Sequence, residues 1–310
     1  MNYRDFGRTH WQISTTGLGC WNLGNQWGEL DDNTAEAIVK AALDSGVNLF
    51  DVAESYGVPN GCSELRVGRA LQGCREDVFI VSKIGNWGKR TGQNVPKTTA
   101  DMIRLCGHAC CGRLQTAYVD VMLCHEGNID DPSVYIDGFR QLRDEGFVRE
   151  YGISTNDFAV LKRFHEQSDG ECAAVEPDYS LLNRAPEHEL LPYCQEHGIA
   201  VIVRGAVARG LLAGKYDRST VFTDQVRRGW NEGEAKREQF LQMLKKVEAV
   251  QEALDGADMV TAALGFVLAH PAVSCVIPGA TSPDQVKANA QADAEPLSDE
   301  LLQRLRAATD

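Results

Sequence analysis

Short apolar runs alternate with longer amphipathic stretches from one end of the chain to the other. Apolar runs of about 4–8 residues bounded by Gly, Pro, Asn or Asp are typical of buried strands. Apolar residues spaced three and four apart are typical of the helices that cover such a sheet. Eight runs predict strands, near residues 15–20, 47–51, 78–83, 119–124, 149–153, 173–176, 200–204 and 273–277. Their alternation with helical stretches predicts a parallel sheet built from βαβ units.

The segments between these strands carry residues that cap or stop helices. Asp31–Asn33 offers capping side chains before one predicted helix, and Gly46 follows the end of that helix. Ser133, Ser154–Asp157 and Ser282-Pro283 stand at equivalent junctions between a strand and a helix. Strand–helix alternation therefore continues from end to end without a break in composition, which favours one barrel over two domains.

The N-terminal segment and the interval after the seventh strand depart from this repeat. Residues 1–14 predict a short hairpin that caps the bottom of the barrel, and a polar loop around 214–234 precedes helices near 235–254 and 260–269. Long loops at the C-terminal ends of barrel strands are usually functional. We therefore predict an α/β fold, a (β/α)8 TIM barrel in which residues 1–310 form a single domain. It carries a short N-terminal hairpin and extra helices after strand 7 and at the C-terminus.

Charge narrows the class of partner. The 310 residues include 31 Lys+Arg against 44 Asp+Glu, for a formal net charge of −13. Nucleic acids and anionic membranes bind basic surfaces, so we expect a small-molecule partner, with no nucleic acid and no membrane. No apolar run approaches the roughly 18 residues of a membrane span, and no signal peptide is visible. Ten cysteines without a secretory signal indicate reduced thiols and a cytoplasmic location.

Four residues with proton-transfer chemistry follow consecutive predicted strands. Asp51 and Tyr56 come after the second strand, Lys83 after the third and His125 after the fourth. Barrel enzymes place catalytic groups at these C-terminal strand ends. A Tyr with a pKa of about 10 is a poor acid at neutral pH, and a neighbouring ammonium lowers that pKa. Lys83 would supply the charge, Asp51 would orient Lys83, and His125 would donate to a carbonyl oxygen of the substrate.

Motifs along nearly the whole chain make it resemble the aldo-keto reductase family. They are Gly17–Trp21, Gly46–Gly57, Val81–Gly85, Val119–His125, Gly152–Asn156, Tyr179–Arg184, Gly210–Tyr216 and Ile277–Ala280. The resemblance implies an NAD(P)H-dependent oxidoreductase that reduces an aldehyde or ketone, with sugars among the candidate substrates. It maps the family's catalytic tetrad onto Asp51, Tyr56, Lys83 and His125, with Tyr56 as the general acid and no metal.

The resemblance also implies a set of cofactor-binding residues across the barrel mouth. These are Trp21, Ser154, Asn156, Glu176, Arg204, Gly205, Ala206, Val207, Gly210, Lys215, Gly279, Thr281, Gln285 and Asn289. Glu176 stands where family members usually carry Gln, and Arg204 stands at a ring-stacking position that is often aromatic. The expected cofactor is NADP, with NAD possible, because Gln285 and Thr281 occupy positions where many members place an arginine for the 2′-phosphate.

Further candidates lie in the variable loops. Trp27, Trp87, Glu126 and Trp230, together with Trp21 and Tyr56, are predicted to line the substrate pocket. Cys106, His108, Cys110 and Cys111 resemble metal ligands at first sight. They fall within one predicted helix, where residues 106 and 110 share a face and residue 108 does not, and we predict no metal there. Cys62 and Cys124 lie nearer the mouth, and their sensitivity to oxidation is left open.

Two other functions remain open on the sequence. One is a nucleotide-binding regulatory subunit with slow residual reductase activity, since some proteins resembling this family are partners of membrane channels. The other is a barrel hydrolase or isomerase that uses Asp51 and Glu54 as a carboxylate pair. The four-residue constellation favours the reductase. The oligomeric state is not predicted.

Overall fold

Eight parallel strands form the central sheet of the computed structural model, which describes residues 1–89 and 92–309. They are β3 (Leu18–Gly19), β4 (Leu49–Asp51), β5 (Phe79–Ile84), β6 (Val119–Cys124), β7 (Val148–Ile153), β8 (Ala174–Val175), β9 (Ala200–Val203) and β10 (Val273–Val276). Each strand pairs in parallel with its neighbour in chain order. Every predicted strand is therefore present. The first is shorter than predicted.

The sheet closes on itself between β3 and β10. The Gly17 amide donates to the Val276 carbonyl at 2.8 Å, and the Gly19 amide donates to the Pro278 carbonyl at 3.1 Å. A Cβ on Gly19 would lie 2.5 Å from the Ile277 carbonyl oxygen, so this position requires a glycine. The backbones approach closely at this seam, which completes the predicted (β/α)8 barrel.

Ten helices surround the strands in the described part of the chain. They are α1 (Asp32–Asp44), α2 (Cys62–Ala70), α3 (Ala100–Leu114), α4 (Ser133–Asp144), α5 (Phe158–Gln167), α6 (Leu190–His197), α7 (Arg237–Leu254), α8 (Met259–Leu268), α9 (Pro283–Ala290) and α10 (Asp299–Thr309). Asp31, Asp157 and Ser282 cap α1, α5 and α9 through their side chains, as their positions predict. The extra helices are α7 and α8 after the seventh barrel strand, and α10. None of these described helices combines the length and apolarity needed to cross a bilayer.

The N-terminal hairpin closes the bottom of the barrel. Strands β1 (Tyr3–Asp5) and β2 (Gln12–Ser14) pair antiparallel. Phe6 and Ile13 pack into one buried cluster with the inward-facing side chains of the barrel strands. Those side chains are Leu49, Val81, Val121, Leu123, Ala174, Ala200, Ile202 and Cys275. The lower half of the barrel is thus apolar and sealed.

Polar contacts fix the hairpin against the starts of several strands. The Arg4 guanidinium donates to the Val273 carbonyl at 2.9 Å, and that of Arg8 donates to the carbonyls of Gly170 and Cys172 at 2.7 and 3.1 Å. Because strand starts lie at one end of a parallel barrel and strand ends at the other, the hairpin is remote from any site at the top.

We predict that Phe6→Ala lowers the free energy of unfolding by about 3–5 kcal/mol, because it removes a buried aromatic side chain and leaves a cavity in the barrel floor. Urea denaturation measures this loss. Tyr3→Ala, on the same hairpin but half exposed, should cost much less. Equal losses in the two variants would contradict the role of Phe6 in sealing the barrel.

Candidate active site

The carboxyl ends of β4, β5 and β6 bring the four predicted catalytic residues together at the top of the barrel. Asp51 ends β4, Lys83 lies near the end of β5, and His125 follows β6. Tyr56 belongs to the loop after β4, where its amide donates to the Ala53 carbonyl at 3.0 Å. Asp51, Tyr56 and Lys83 are buried. Asp51, Lys83 and His125, which are at least 32 positions apart in sequence, thus meet because parallel strands end at one face.

Lys83 lies at the centre of this group. Its ammonium donates to Asp51 and to the Val52 carbonyl, the latter at 3.1 Å, and it lies 3.1 Å from Oε2 of Glu176. The Lys83 Nζ atom is 4.8 Å from the centre of the Tyr56 ring. Glu176 follows β8, so the two carboxylates reach the ammonium from strands on different sides of the barrel. The resemblance associated Glu176 with cofactor binding; the structure adds a direct ion pair with Lys83.

Burial and charge shift the pKa values of this group. Burial raises the pKa of Tyr56 above its ordinary value and outweighs the lowering by Lys83, so the predicted net lowering does not occur. Burial, followed by the charge of Glu176, raises the pKa of Asp51. Burial alone would lower the pKa of Lys83, but Asp51 and Glu176 outweigh it and raise that pKa. Lys83 is therefore a permanent cation and Tyr56 a neutral phenol at neutral pH.

Aromatic contacts hold the Tyr56 ring between two neighbours. The Trp21 ring stacks on it at 6.0 Å between centroids, and the His125 ring meets it edge-on at 5.8 Å. The Trp21 indole N–H donates to the Gln26 side-chain oxygen, which also accepts from the Gly57 amide at 3.1 Å. Gln26 thereby links the loop that carries Trp21 to the loop that carries Tyr56, and both rings have fixed positions.

A cavity of about 750 Å³ extends from this group to the start of α9. Asp51, Tyr56 and His125 line one end of it, and Thr281 and Gln285 line the other. All the residues that the resemblance implied for cofactor binding contribute to its wall: Trp21, Ser154, Asn156, Glu176, Arg204, Gly205, Ala206, Val207, Gly210, Lys215, Gly279, Thr281, Gln285 and Asn289. Its lining runs from Tyr56 to Gln285, and its volume leaves room for an extended dinucleotide beside a small substrate.

A hydrogen-bond network fixes the wall of the cavity beside Glu176. The Asn156 side-chain oxygen accepts from the Asp178 amide at 2.8 Å and from the Arg204 guanidinium at 2.9 Å. The Asp178 carboxylate accepts from Arg204 at 3.0 Å. The Asn156 NH2 group is thereby oriented as a donor, and the planar Arg204 group is held as a platform on which a ring can stack.

The far end of the cavity offers neutral hydrogen-bonding groups and the N-terminus of α9. Ser282 caps α9, whose N-terminal amides suit an anion. The Gln285 side-chain oxygen accepts from the Thr281 amide at 2.8 Å. Arg209 and Lys215 line the same cavity, and the described residues place no carboxylate within ion-pair distance of either. These groups fit the phosphates of a nicotinamide dinucleotide.

Three residues predicted for the substrate pocket do not line the cavity. Trp230 is buried, where its ring stacks on Phe240 at 5.5 Å, because the polar loop folds back on α7. Trp87 turns to the Arg113 guanidinium, 5.4 Å from its ring centre. Glu126 accepts from the Asn86 amide at 3.0 Å and so anchors the loop after β5. Trp27 does line the cavity, with its ring edge-on to Trp21.

Several residues that line the cavity are not among those predicted from the sequence. Asn86 and Asn128 follow the ends of β5 and β6, so the strand-end rule identifies them. Tyr216 and Arg227 come from the loop after β9, where no periodicity marks which side chains turn inward. The Arg227 guanidinium lies 5.2 Å from the Trp27 ring centre and donates to the Tyr216 hydroxyl at 2.5 Å.

The remaining candidates lie away from this chemistry. Glu54 accepts from the Gly85 amide at 2.8 Å and pairs with Lys97 at 3.3 Å, so it does not face Asp51 across the cavity. In α3, His108 pairs with Glu145 at 2.7 Å and stacks on Phe147. The Cys110 sulfur accepts a hydrogen bond from the Arg113 guanidinium at 3.3 Å. Burial raises the pKa of the Cys124 thiol, which disfavours its oxidation.

Comparisons with known proteins agree with this geometry. A model of the Aldo/keto reductase family matches residues 15–310. The oxidoreductase YqkF of Bacillus subtilis is 32% identical, with 100% of this chain and 97% of that protein covered. The NADH-specific methylglyoxal reductase of Escherichia coli is 30% identical, with 92% and 91% covered. The solved aldo-keto reductase AKR11C1 from Bacillus halodurans, in its holo form, is 33% identical with a TM-score of 0.83, covering 100% of this chain and 97% of that one.

We predict that Lys83→Met lowers the free energy of unfolding by about 3–5 kcal/mol near pH 8, because Asp51 and Glu176 lose their shared cation. In the variant the folded state binds protons on these carboxyls more tightly than the unfolded state does. Stability then falls as pH rises, so the loss should be smaller at pH 5. Urea denaturation at the two pH values measures this.

The control is Lys89→Met. Lys89 is exposed, and its ion pair with Glu126 is long, at 3.9 Å, and therefore weak. Its stability should stay within about 0.5 kcal/mol of wild type. A Lys83→Met protein as stable as wild type at pH 8 would refute the buried ion cluster.

Proposed function

The chain belongs to the aldo/keto reductase family of NAD(P)H-dependent oxidoreductases, and from this premise we propose that it reduces a small aldehyde or ketone to an alcohol with Tyr56 as the proton donor. The observation that carries the proposal is the position of Tyr56. It is the buried phenol that lines the cavity beside both Lys83 and His125. A reduced nicotinamide, when bound, supplies the hydride.

Tyr56 would protonate the carbonyl oxygen as charge develops there. A phenol held neutral by burial carries the proton that this step needs, and the ammonium of Lys83 stabilises the phenolate that remains. Asp51 keeps Lys83 charged and oriented. His125 lies across the Tyr56 ring and lines the same cavity, in reach of a substrate oxygen bound between the two.

The cofactor would extend from this group to α9. Ser154 and Asn156 would hold the nicotinamide carboxamide, with the oriented Asn156 NH2 group as a donor. Arg204 would stack on the ring. Residues 205–210 with Lys215 would flank the pyrophosphate, and Gly279, Thr281, Gln285 and Asn289 would surround the adenosine.

The aromatic wall limits the substrate to a small molecule. Trp21 and Trp27 meet edge to face at 5.0 Å beside Tyr56, and Arg227 spans to Trp27 from the opposite loop. Such a wall suits a short aldehyde, a sugar or a 2-oxo aldehyde. The similar Escherichia coli protein is named a methylglyoxal reductase, which makes short dicarbonyls suitable first substrates.

We predict that Tyr56→Phe lowers kcat for carbonyl reduction by about 10²–10⁴-fold, because the proton donor is lost, while affinity for the cofactor is nearly unchanged. Single-turnover oxidation of the bound reduced cofactor measures the rate, and fluorescence titration measures the affinity. Tyr135→Phe is the matched control, since Tyr135 is also buried and its hydroxyl has no partner among the described residues. A Tyr56→Phe protein with wild-type single-turnover rate would exclude Tyr56 as the acid.

We also propose that the chain uses NADPH and discriminates only weakly against NADH. Gln285 and Thr281 offer neutral groups at the adenosine end. Lys287, the nearest basic residue on α9, is exposed, pairs with Asp284 at 3.8 Å and is absent from the cavity wall. Without a charge-assisted hydrogen bond worth about 1.5–3 kcal/mol, the preference should stay below about a hundredfold.

Gln285→Arg should then tighten NADPH by about tenfold or more and leave NADH within a few-fold of wild type, because only the 2′-phosphate gains a charged partner. Dissociation constants for both cofactors, from protein fluorescence, test this. Lys287→Ala should change neither constant. A wild-type preference above a thousandfold in either direction would contradict this account of the adenosine end.

A further inference from the structure

Two buried carboxylates share one buried ammonium beneath the cavity. Lys83 is 0% exposed, Asp51 2% and Glu176 1%. The lysine donates hydrogen bonds to Asp51 and to the Val52 carbonyl, and it forms an ion pair with Oε2 of Glu176 at 3.1 Å without a hydrogen bond. Within the described residues no other cation lies within 4.0 Å of either carboxylate. With all three groups ionised, the cluster would carry a net charge of −1.

A net charge that is buried away from water has a high free-energy cost. Two like charges that share a buried site do not both ionise readily, and one of the pair takes up a proton. Both carboxylate oxygens of Glu176 are buried and neither has a hydrogen-bond partner among the described residues, as expected of a carboxyl group that takes up a proton. Burial and Glu176 together raise the pKa of Asp51.

The other titratable groups that face the cluster do not supply a positive charge. Tyr56 is a neutral phenol, and Cys20, packed near Asp51, is a thiol whose pKa burial raises. Burial likewise raises the pKa of Cys275 on β10. Across the cavity, Arg204 is paired with Asp178 at 3.0 Å. The His125 ring meets the Tyr56 ring edge-on.

We propose that Asp51 and Glu176 share one proton when no cofactor is bound, and that they give it up to solvent when the cationic ring of an oxidised nicotinamide enters. This inference rests on the proposed function. Asp51, Glu176 and Tyr56 line the same end of the cavity. Proton and hydride must reach the two atoms of one carbonyl bond, about 1.23 Å apart. The ring therefore lies next to Tyr56, close to the two carboxylates.

The consequence is a cofactor affinity that depends on both redox state and pH. Where the empty site holds the shared proton, binding of the oxidised form releases it, so its affinity rises as pH rises, by about tenfold per pH unit at most. Binding of the neutral reduced ring leaves the proton in place, so its affinity gains nothing from this source. The carboxylate pair thus makes the site favour the oxidised cofactor more strongly in alkaline conditions.

Calorimetric titration with NAD+ and NADH, each in two buffers of different ionisation enthalpy, counts the protons released on binding. We expect wild type to release up to one more proton with NAD+ than with NADH at pH 7. Glu176→Gln keeps the shape of the side chain and removes its charge. It should abolish that difference and weaken NAD+ relative to NADH by roughly ten- to a hundredfold. Glu126→Gln, which alters a carboxylate outside the cavity, should keep the wild-type proton count.

Equal proton release for the two cofactors in wild type would overturn the shared proton, and this measurement does not depend on any variant folding. A difference that persists in Glu176→Gln would overturn the role of Glu176. If neither NAD+ nor NADH binds, the proposed weak discrimination between the two nicotinamides fails first, which distinguishes that outcome from the other two.

Discussion

The buried ammonium of Lys83 sets the terms for the rest of the active site. A lysine with no solvent contact stays charged only if nearby carboxylates offset the free-energy cost of removing its ammonium from water. The barrel supplies them from two directions, because Asp51 ends the neighbouring strand β4 and Glu176 follows β8 on another side. These ion pairs join distant strands across the top of the barrel. The same contacts that keep the lysine charged thus hold the strand ends in register around the cavity.

The floor of the barrel affects how strongly these charges interact. Below the ion cluster lies a buried apolar cluster, which Phe6 and Ile13 of the hairpin close from beneath. Charges interact more strongly where water is scarce. This explains why burial outweighs Lys83 in setting the pKa of Tyr56. The phenol therefore keeps its proton at neutral pH.

The sequence was sufficient to predict the strands and helices and which residues end the strands. It was insufficient to predict how the loop side chains pack. Alternating apolar runs predict all eight strands, and residues that end consecutive strands of a parallel barrel must meet, so Asp51, Lys83 and His125 follow from their order alone. Trp230 and Arg227 lie in one loop with no periodicity. Only long-range packing on Phe240 and Trp27 decides that the first turns inward to the core and the second to the cavity. Likewise, no local pattern reveals that Glu176 meets Lys83.

In the cavity wall beside the ion cluster, several residues depend on one another's contacts. The Arg204 guanidinium is held in place because Asp178 and Asn156 accept hydrogen bonds from it at 3.0 and 2.9 Å. The Asp178 carboxylate in turn occupies the space next to Gly205, where an added Cβ would lie 3.0 Å from it on a backbone with φ of +73°. An aromatic residue at position 204 would leave Asp178 without its cation. Arg204, Asp178 and Gly205 therefore form one unit. Arg204 pairs with the Asp178 carboxylate, just as Lys83 pairs with the two acids beside it.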